Sequence, residues 1–170
     1  MGGREQTLAI LGCGTMGEAI LAGLLRAGEL PPERIIVTAR RSEVAKRLAE
    51  RHGVRATTDN ASACRDADLV LVAFKPQRMQ DLLDDDAIRT ALGGKLLVSV
   101  AAGVRLSTLA SWLPQTIVVR AMPNTPCLVG EGMTVLAPGP NATAEHVATA
   151  RRIFESVGRV VELEDKHMDA

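Results

Sequence analysis

Three glycines, Gly12, Gly14 and Gly17, stand in the stretch "LAILGCGTMGEAI" (8–20), where an apolar run meets an apolar helical pattern. The G-x-G-x-x-G spacing has a chemical meaning when it joins a strand to a helix. Gly12 lets the chain turn sharply. Gly14 has no Cβ and lets an anion approach the backbone, and Gly17 lets the helix lie close on the strand. The free N–H groups and the positive dipole end of the helix then face the anion. The chemistry implied is the holding of a dinucleotide pyrophosphate, with Cys13 and Thr15 lining the loop mainly through their backbone. A plain tight turn is the alternative reading. The position of the loop, at the head of an alternating α/β pattern, favours the dinucleotide.

A ribose-binding acid normally lies at the end of the next strand, about 20 residues past such a loop. Here that region reads Val37-Thr38-Ala39-Arg40-Arg41-Ser42, with no acid. A hydroxyl and two guanidiniums stand in its place. A carboxylate would repel a 2′-phosphate, whereas arginine binds it with charge-assisted hydrogen bonds. The expectation is NADP(H) in preference to NAD(H). Solvated charges in the first turn of a helix would be the bland reading, but positive charge is disfavoured at a helix N-terminus.

Ligands of such sheets sit outside the carboxyl ends of the strands. The later ends are "AFKPQ", "SVAAGV" and "RAMPNTPCLVGEG". Lys75 is placed either to bond a cofactor ribose or to snorkel from a strand end, and Pro76 suits a first helical turn. Ala101, Ala102 and Gly103 leave room for a flat ring, or simply ease packing. The two prolines of "MPNTP" fix where Asn124 and Thr125 point, which serves a substrate contact or an ordinary rigid turn. Asn60, opening "NASACRDAD", fits a ribose contact or, more commonly, a helix cap. His52, His146 and His167 do not cluster, and no metal-ligand spacing or catalytic triad is present. The acid run Asp81, Asp84, Asp85 and Asp86 reads as a solvated helix or turn face. The redox chemistry therefore falls to the cofactor, which the protein orients.

The elements that must position these groups alternate. Short apolar or β-branched runs read as strands: "TLAIL", "RIIVTA", a weak "VRAT", "ADLVLVAF", "KLLVSVAAG", "TIVVRAM", "MTVLA" and "RVVEL". Between them "MGEAILAGLLRAG", "SEVAKRLAERHG" with a capping-type Ser42, "PQRMQDLLDDDAIRTALGG", "RLSTLASWL" and "TAEHVATARRIFESVG" read as helices. The fold class expected is α/β: a doubly wound, mostly parallel Rossmann-type sheet with helices on both faces. The closing "EDKHMDA" is polar and looks as though it caps nothing.

Bulk properties narrow the classes further. The chain has 170 residues, enough for one domain with a real core. Twenty basic and twenty acidic side chains cancel, so no net field draws nucleic acid or an anionic membrane. Phe74, Phe154 and Trp112 are the only aromatics, too few for base-stacking platforms. No run reaches a membrane span and "MGGREQT" has no hydrophobic signal region, so the expected location is cytoplasmic. Cys13, Cys64 and Cys127 are far apart and read as small buried residues, not ligands.

Taken together, "ILGCGTMGEAI", "VAFKPQ", "SVAAGV" and "RAMPNTPCLVGEGMTVL" closely resemble pyrroline-5-carboxylate reductase along nearly the whole chain. The combination of K-P-Q, A-A-G and M-P-N-T-P is far more specific than the glycine loop. The resemblance implies NADPH-dependent reduction (NADH being weaker) of 1-pyrroline-5-carboxylate to L-proline, the last step of proline biosynthesis. It puts Gly12, Cys13, Gly14, Thr15, Met16 and Gly17 on the pyrophosphate, and Thr38, Arg40, Arg41 and Asn60 on the adenosine side. Ala73, Phe74, Lys75 and Pro76 would line the cofactor groove, Ala101, Ala102 and Gly103 the nicotinamide region. Met122 would touch the cofactor, and Asn124 and Thr125 would serve the catalytic end. The implied step is hydride transfer to the imine carbon, with the protonated substrate nitrogen as electron sink and no strong protein base.

Members of that family continue into a C-terminal helical domain that makes the dimer and holds the substrate carboxylate. The resemblance therefore implies a dinucleotide-binding domain over 1–163, the start of a connection over 164–170, and a homo-oligomer in full-length relatives. Two other readings stand beside it. One is another NADP-dependent reductase, of the β-hydroxyacid dehydrogenase type, against which "KPQ" and "MPNTP" argue. The other is a stand-alone NADP-binding or redox-sensing module without turnover.

Overall fold

The computed structural model describes residues 5–169, so residues 1–4 and 170 of the expected domain spans lie outside it. Among these residues eight strands form one sheet: β1 (Leu8–Leu11), β2 (Ile35–Thr38), β3 (Arg55–Thr57), β4 (Leu69–Val72), β5 (Leu96–Ser99), β6 (Ile117–Pro123), β7 (Gly132–Pro138) and β8 (Gly158–Glu162). Their order is β3-β2-β1-β4-β5-β6-β7-β8. Every pairing is parallel except β6 with β7. That exception follows from chain length. Residues 124–131 are too few for a crossover, so the chain must reverse. The doubly wound, mostly parallel α/β sheet is the architecture the alternating pattern implies.

Among the described residues seven α-helices cover the sheet: α1 (Thr15–Ala27), α2 (Ser42–His52), α3 (Asn60–Asp66), α4 (Met79–Leu83), α5 (Asp86–Leu92), α6 (Leu106–Trp112) and α7 (Ala144–Glu155). One face packs Leu8, Ile10, Val37, Leu71 and Val98 against Ile20, Leu24, Leu48 and Phe154, from α1, α2 and α7. The other packs Ala9, Leu11, Val70 and Leu97 against Cys64, Met79, Ile88 and Leu109, from α3 to α6. Burial on both sides explains why the central strands read as unbroken apolar runs. Helix α1 stops at Gly28 and α2 at Gly53, both in the left-handed conformation expected of such stops.

Four local expectations are corrected. Ser42 is the first residue of α2 and does not cap it; Arg41 holds the cap position without a side-chain bond. Asn60 does not cap α3; Asp59 does, its carboxylate accepting the Ser62 N–H at 3.0 Å. The stretch 76–94 is not one helix. A 3-10 turn (Pro76–Arg78) leads into α4, and Asp85 then accepts the Ala87 N–H and starts α5 afresh. The acid run is thus an exposed stop and cap. Finally, the polar tail does cap something. A 3-10 turn (Asp165–His167) brings the Asp165 carboxylate to the Leu106 N–H, 3.2 Å away at the start of α6.

Candidate dinucleotide site

The sheet reverses its winding between β1 and β4, and a crevice outside the carboxyl ends of the strands opens at such a switch point. The glycine loop stands there, and its three glycines do three different things. Gly12 has φ +72°, and a Cβ built on it would lie 2.7 Å from the Phe74 ring. Gly17 packs tightly, with Ala73 Cβ 3.3 Å and Ile10 3.4 Å from the position of its missing Cβ. Gly14 needs to be glycine for neither reason. Its φ is −88°, and a Cβ there would meet only the Gly12 carbonyl oxygen, at 4.0 Å. The chain's own packing leaves that space open.

The amides divide as sharply. Gly12 donates to Thr38 Oγ1 at 3.0 Å, Cys13 to the Thr38 carbonyl at 2.8 Å, and Gly14 to the Gly12 carbonyl at 2.7 Å. These three are spent on the loop's own shape. Helix α1 makes its first bond from Glu18 to the Gly14 carbonyl, and no side chain caps its start. The amides of Thr15, Met16 and Gly17 therefore find no acceptor among the described residues, and they crown a 13-residue helix. The donors available to an anion come from the helix start, not from Gly12 or Cys13.

Thr38 is 1% exposed and its hydroxyl is taken by Gly12, so it holds the loop in place instead of facing a ligand. Arg40 is exposed and forms no ion pair with any described residue. Arg41 lies 3.7 Å from Glu43, both well exposed. The two guanidiniums stand just past the end of β2, beside the start of α2. Asn60 follows β3, and its Oδ1 is buried with no hydrogen-bond partner. A buried carbonyl left unpaired costs about 1–3 kcal/mol, so it fits an acceptor waiting for a hydroxyl or amine.

The remaining groups sit at the ends of β4, β5 and β6. Ala73 donates to the Leu11 carbonyl at 2.9 Å, which ties the β4 end to β1 and sets the half-buried Phe74 against Gly12. Lys75 is exposed, and Pro76 opens the following turn as expected. Ala101 is buried, its amide donating to Ser99 Oγ, so its small side chain belongs to the core. Ala102 is exposed beside Gly103, whose φ of +74° faces open space. Met122 is half-buried, while Asn124 and Thr125 are exposed on the β6–β7 connection. Asn124 Oδ1 accepts the Met133 N–H at 2.8 Å, which fixes the loop and leaves the side-chain NH2 free to donate.

One feature of the site has almost no signature in the local sequence. Glu18, in the first turn of α1, would repel a bound anion if left alone. It is met by His52 at 2.9 Å, Arg51 at 3.3 Å and Arg47 at 3.8 Å, all on α2. The carboxylate becomes a strut between α1 and α2, with cations around it. The only signal in the chain was the i, i+4, i+5 spacing of three basic residues on one helix. Burial, and secondarily Glu18, push the Cys13 thiol up to about 12. Cys64 is pushed to about 11, again by burial first. Neither is a thiolate nucleophile near neutral pH.

Residues 7–103 match the family described as NADP oxidoreductase, coenzyme F420-dependent. The chain is 38% identical over 167 residues to a pyrroline-5-carboxylate reductase of Methanosarcina acetivorans, covering 98% of this chain and 62% of the relative. A Plasmodium falciparum pyrroline carboxylate reductase with NADP bound superposes with a TM-score of 0.87 at 27% identity, over 99% of this chain and 61% of that one. A Coxiella burnetii pyrroline-5-carboxylate reductase gives 0.87 at 31% identity, over 94% and 59%. The chain thus spans about three-fifths of the length of the relatives it matches.

Proposed function

We propose, for a chain that belongs to the NADP oxidoreductase, coenzyme F420-dependent family, that it is the dinucleotide-holding part of an NADPH-dependent reductase of 1-pyrroline-5-carboxylate. The observation that carries the cofactor is the open space at Gly14, which the fold itself does not require. The substrate class rests on the relatives named pyrroline-5-carboxylate reductase, together with "KPQ" and "MPNTP".

In this reading the amides of Thr15, Met16 and Gly17 hold the pyrophosphate over Gly14. Arg40 and Arg41 take the 2′-phosphate, and Asn60 Oδ1 accepts a bond on the adenosine side. Phe74, Lys75 and Pro76 form the groove wall. Ala102, Gly103 and Met122 bound the ring region, with Ala73 and Ala101 packed beneath. Thr38 and Cys13 act behind the site, by fixing the loop. When bound, NADPH supplies the hydride that reduces the imine carbon, yielding proline. The Asn124 NH2 and the Thr125 hydroxyl orient the ring. A protonated imine nitrogen is already an electron sink, so no strong protein base is needed.

Residues 164–170 are read as beginning the connection toward the part of the relatives that this chain does not span, and the whole protein as a homo-oligomer acting in the cytoplasm. Among the described residues no helix is long and apolar enough to cross a membrane.

The test is NADPH oxidation by this chain with 1-pyrroline-5-carboxylate, read beside NADPH binding in the same sample. Oxidation only with the imine present supports the full reading. Binding without oxidation supports the cofactor-holding part of the reading and counts against turnover by this chain alone. No NADPH binding overturns the reading.

A further inference from the structure

Arg120 is 1% exposed in the middle of β6, among apolar neighbours. Val119 and Ala121 belong to the α1-side core and Val118 to the other, so Arg120 projects to the face carrying α3 to α6. It is flanked by Ser99 on β5 and Ala137 on β7. An unpaired guanidinium there would be strongly destabilising. Its partners come from far along the chain: Asp165 Oδ1 accepts from Nη1 at 2.8 Å, and Asp169 Oδ1 from Nη2 at 2.6 Å. Arg105 stands 3.6 Å from Asp169 and balances the second carboxylate. Met168, between the two acids in sequence, is buried in the same core.

Asp165 has a second bond. Its Oδ2 accepts the Leu106 N–H at 3.2 Å, while Arg105, at the cap position of α6, offers no side-chain cap of its own. Helix α6 therefore borrows its cap from a residue 59 positions later. The turn just before it, closed by Val104 N–H to the Ala101 carbonyl at 3.3 Å, carries Ala102 and Gly103.

We propose that Arg120 is a positioning residue: through Asp165 and Asp169 it docks residues 164–169 onto the sheet, and through Asp165 it fixes the start of α6 and the Ala101–Val104 turn at the ring end of the site. The docking part stands on the geometry alone. The assignment of that turn to the ring end rests on the proposed function.

Amide hydrogen exchange on the full chain tests it, with Arg120→Lys, Arg120→Met, Asp165→Ala and Asp169→Asn. Arg120 does not touch Leu106, yet Arg120→Met is expected to speed exchange at 104–109 and 164–169 at least tenfold, with β1 to β4 unchanged. Asp165→Ala does the same, Asp169→Asn frees chiefly the tail, and Arg120→Lys restores part of the protection. If Arg120→Met does not fold, its combination with Asp165→Asn and Asp169→Asn removes the unpaired carboxylates; that variant is expected to fold with 164–169 still exchanging fast. Unchanged exchange at 104–109 in Arg120→Met and Asp165→Ala, or slow exchange at 164–169 in the combined variant, overturns the proposal. Binding then separates the two claims. Affinity for NADPH is expected to fall several-fold in Asp165→Ala while affinity for 2′,5′-ADP, which lacks the ring end, holds. An equal loss for both overturns the ring-end assignment. A wild type that binds neither overturns the proposed function and leaves the exchange result to decide the docking.

Discussion

Gly12 and Gly14 lie two residues apart in one loop, yet alanine at the two acts through different physics. At Gly12 the left-handed backbone and the Phe74 ring both oppose a Cβ. Gly12→Ala is expected to lower fold stability by about 1–2 kcal/mol, from the backbone conformation alone. At Gly14 no atom opposes it, but Gly14 is the cap residue of α1 and alanine caps less well than glycine, so Gly14→Ala is expected to cost at most about 1 kcal/mol of thermal stability. The same substitution fills the space kept open for the pyrophosphate and is expected to weaken NADPH binding at least about tenfold, roughly 1.4 kcal/mol. Thermal melts beside calorimetric titrations read both quantities; a Gly14→Ala protein that binds NADPH normally would remove the cradle. Arg40→Ala is expected to cost roughly 1.5 kcal/mol of NADPH binding, the low end for bonds to charged groups because the side chain is exposed, and to leave NADH binding unchanged. The glycine roles were legible because each is a backbone property tied to spacing. Thr38 and Asn124 were legible only as polar residues at strand ends. That one hydroxyl would turn inward to Gly12 and one amide oxygen to Met133 is set by partners 26 and 9 residues away, which no local pattern carries.

At the scale of elements, the strands and the long helices followed from period and punctuation, because burial on both faces leaves the strands uniformly apolar and Gly28 and Gly53 end α1 and α2. The failures fall where several polar residues compete for one cap. Asp59 took the place assigned to Asn60, and Asp85 restarted a helix read as continuous, each by a carboxylate within reach of a particular N–H. Helix α1 shows what the pattern hides in its middle. Gly23 breaks no rule of spacing, but a Cβ there would lie 2.5 Å from Val157 and 2.8 Å from the Ser156 carbonyl, where the end of α7 crosses α1. Glycine within a helix loses about 1 kcal/mol of propensity relative to alanine. Gly23→Ala is nonetheless expected to destabilise by about 1–3 kcal/mol, the overpacking range, because the close approach outweighs that gain. Urea unfolding measures it, and a stabilised variant would show that α7 can move aside.

The tail is tied to β6 and to the start of α6, and its coupling to the sheet has a pH signature. The Asp169 carboxyl is held below its ordinary range, first by the hydrogen bond from Arg120; burial opposes that bond in part, and the charges of Arg120 and then of Arg105 add to the lowering. A carboxyl depressed in the folded state adds stability that is present above its unfolded pKa and is lost as pH falls through its folded one. Acidification below the ordinary aspartate range is therefore expected to release residues 164–169. Trp112, the only tryptophan, ends α6 and packs partly against the same core, so its fluorescence reports the release. Wild type and Asp169→Asn should differ in that profile, and identical profiles would detach Asp169 from the docking. None of this was legible in "EDKHMDA", whose polarity hides a segment held by one buried arginine on a distant strand. Whether this molecule holds NADPH by its 2′-phosphate and pyrophosphate is decided by titrating the chain with NADPH and with NADH in a calorimeter. Saturable binding is expected at one site per chain, tighter for NADPH by about tenfold or more, which is ~1.4 kcal/mol. Equal affinity for the two would contradict the role of Arg40 and Arg41, and the absence of binding by either would contradict the whole.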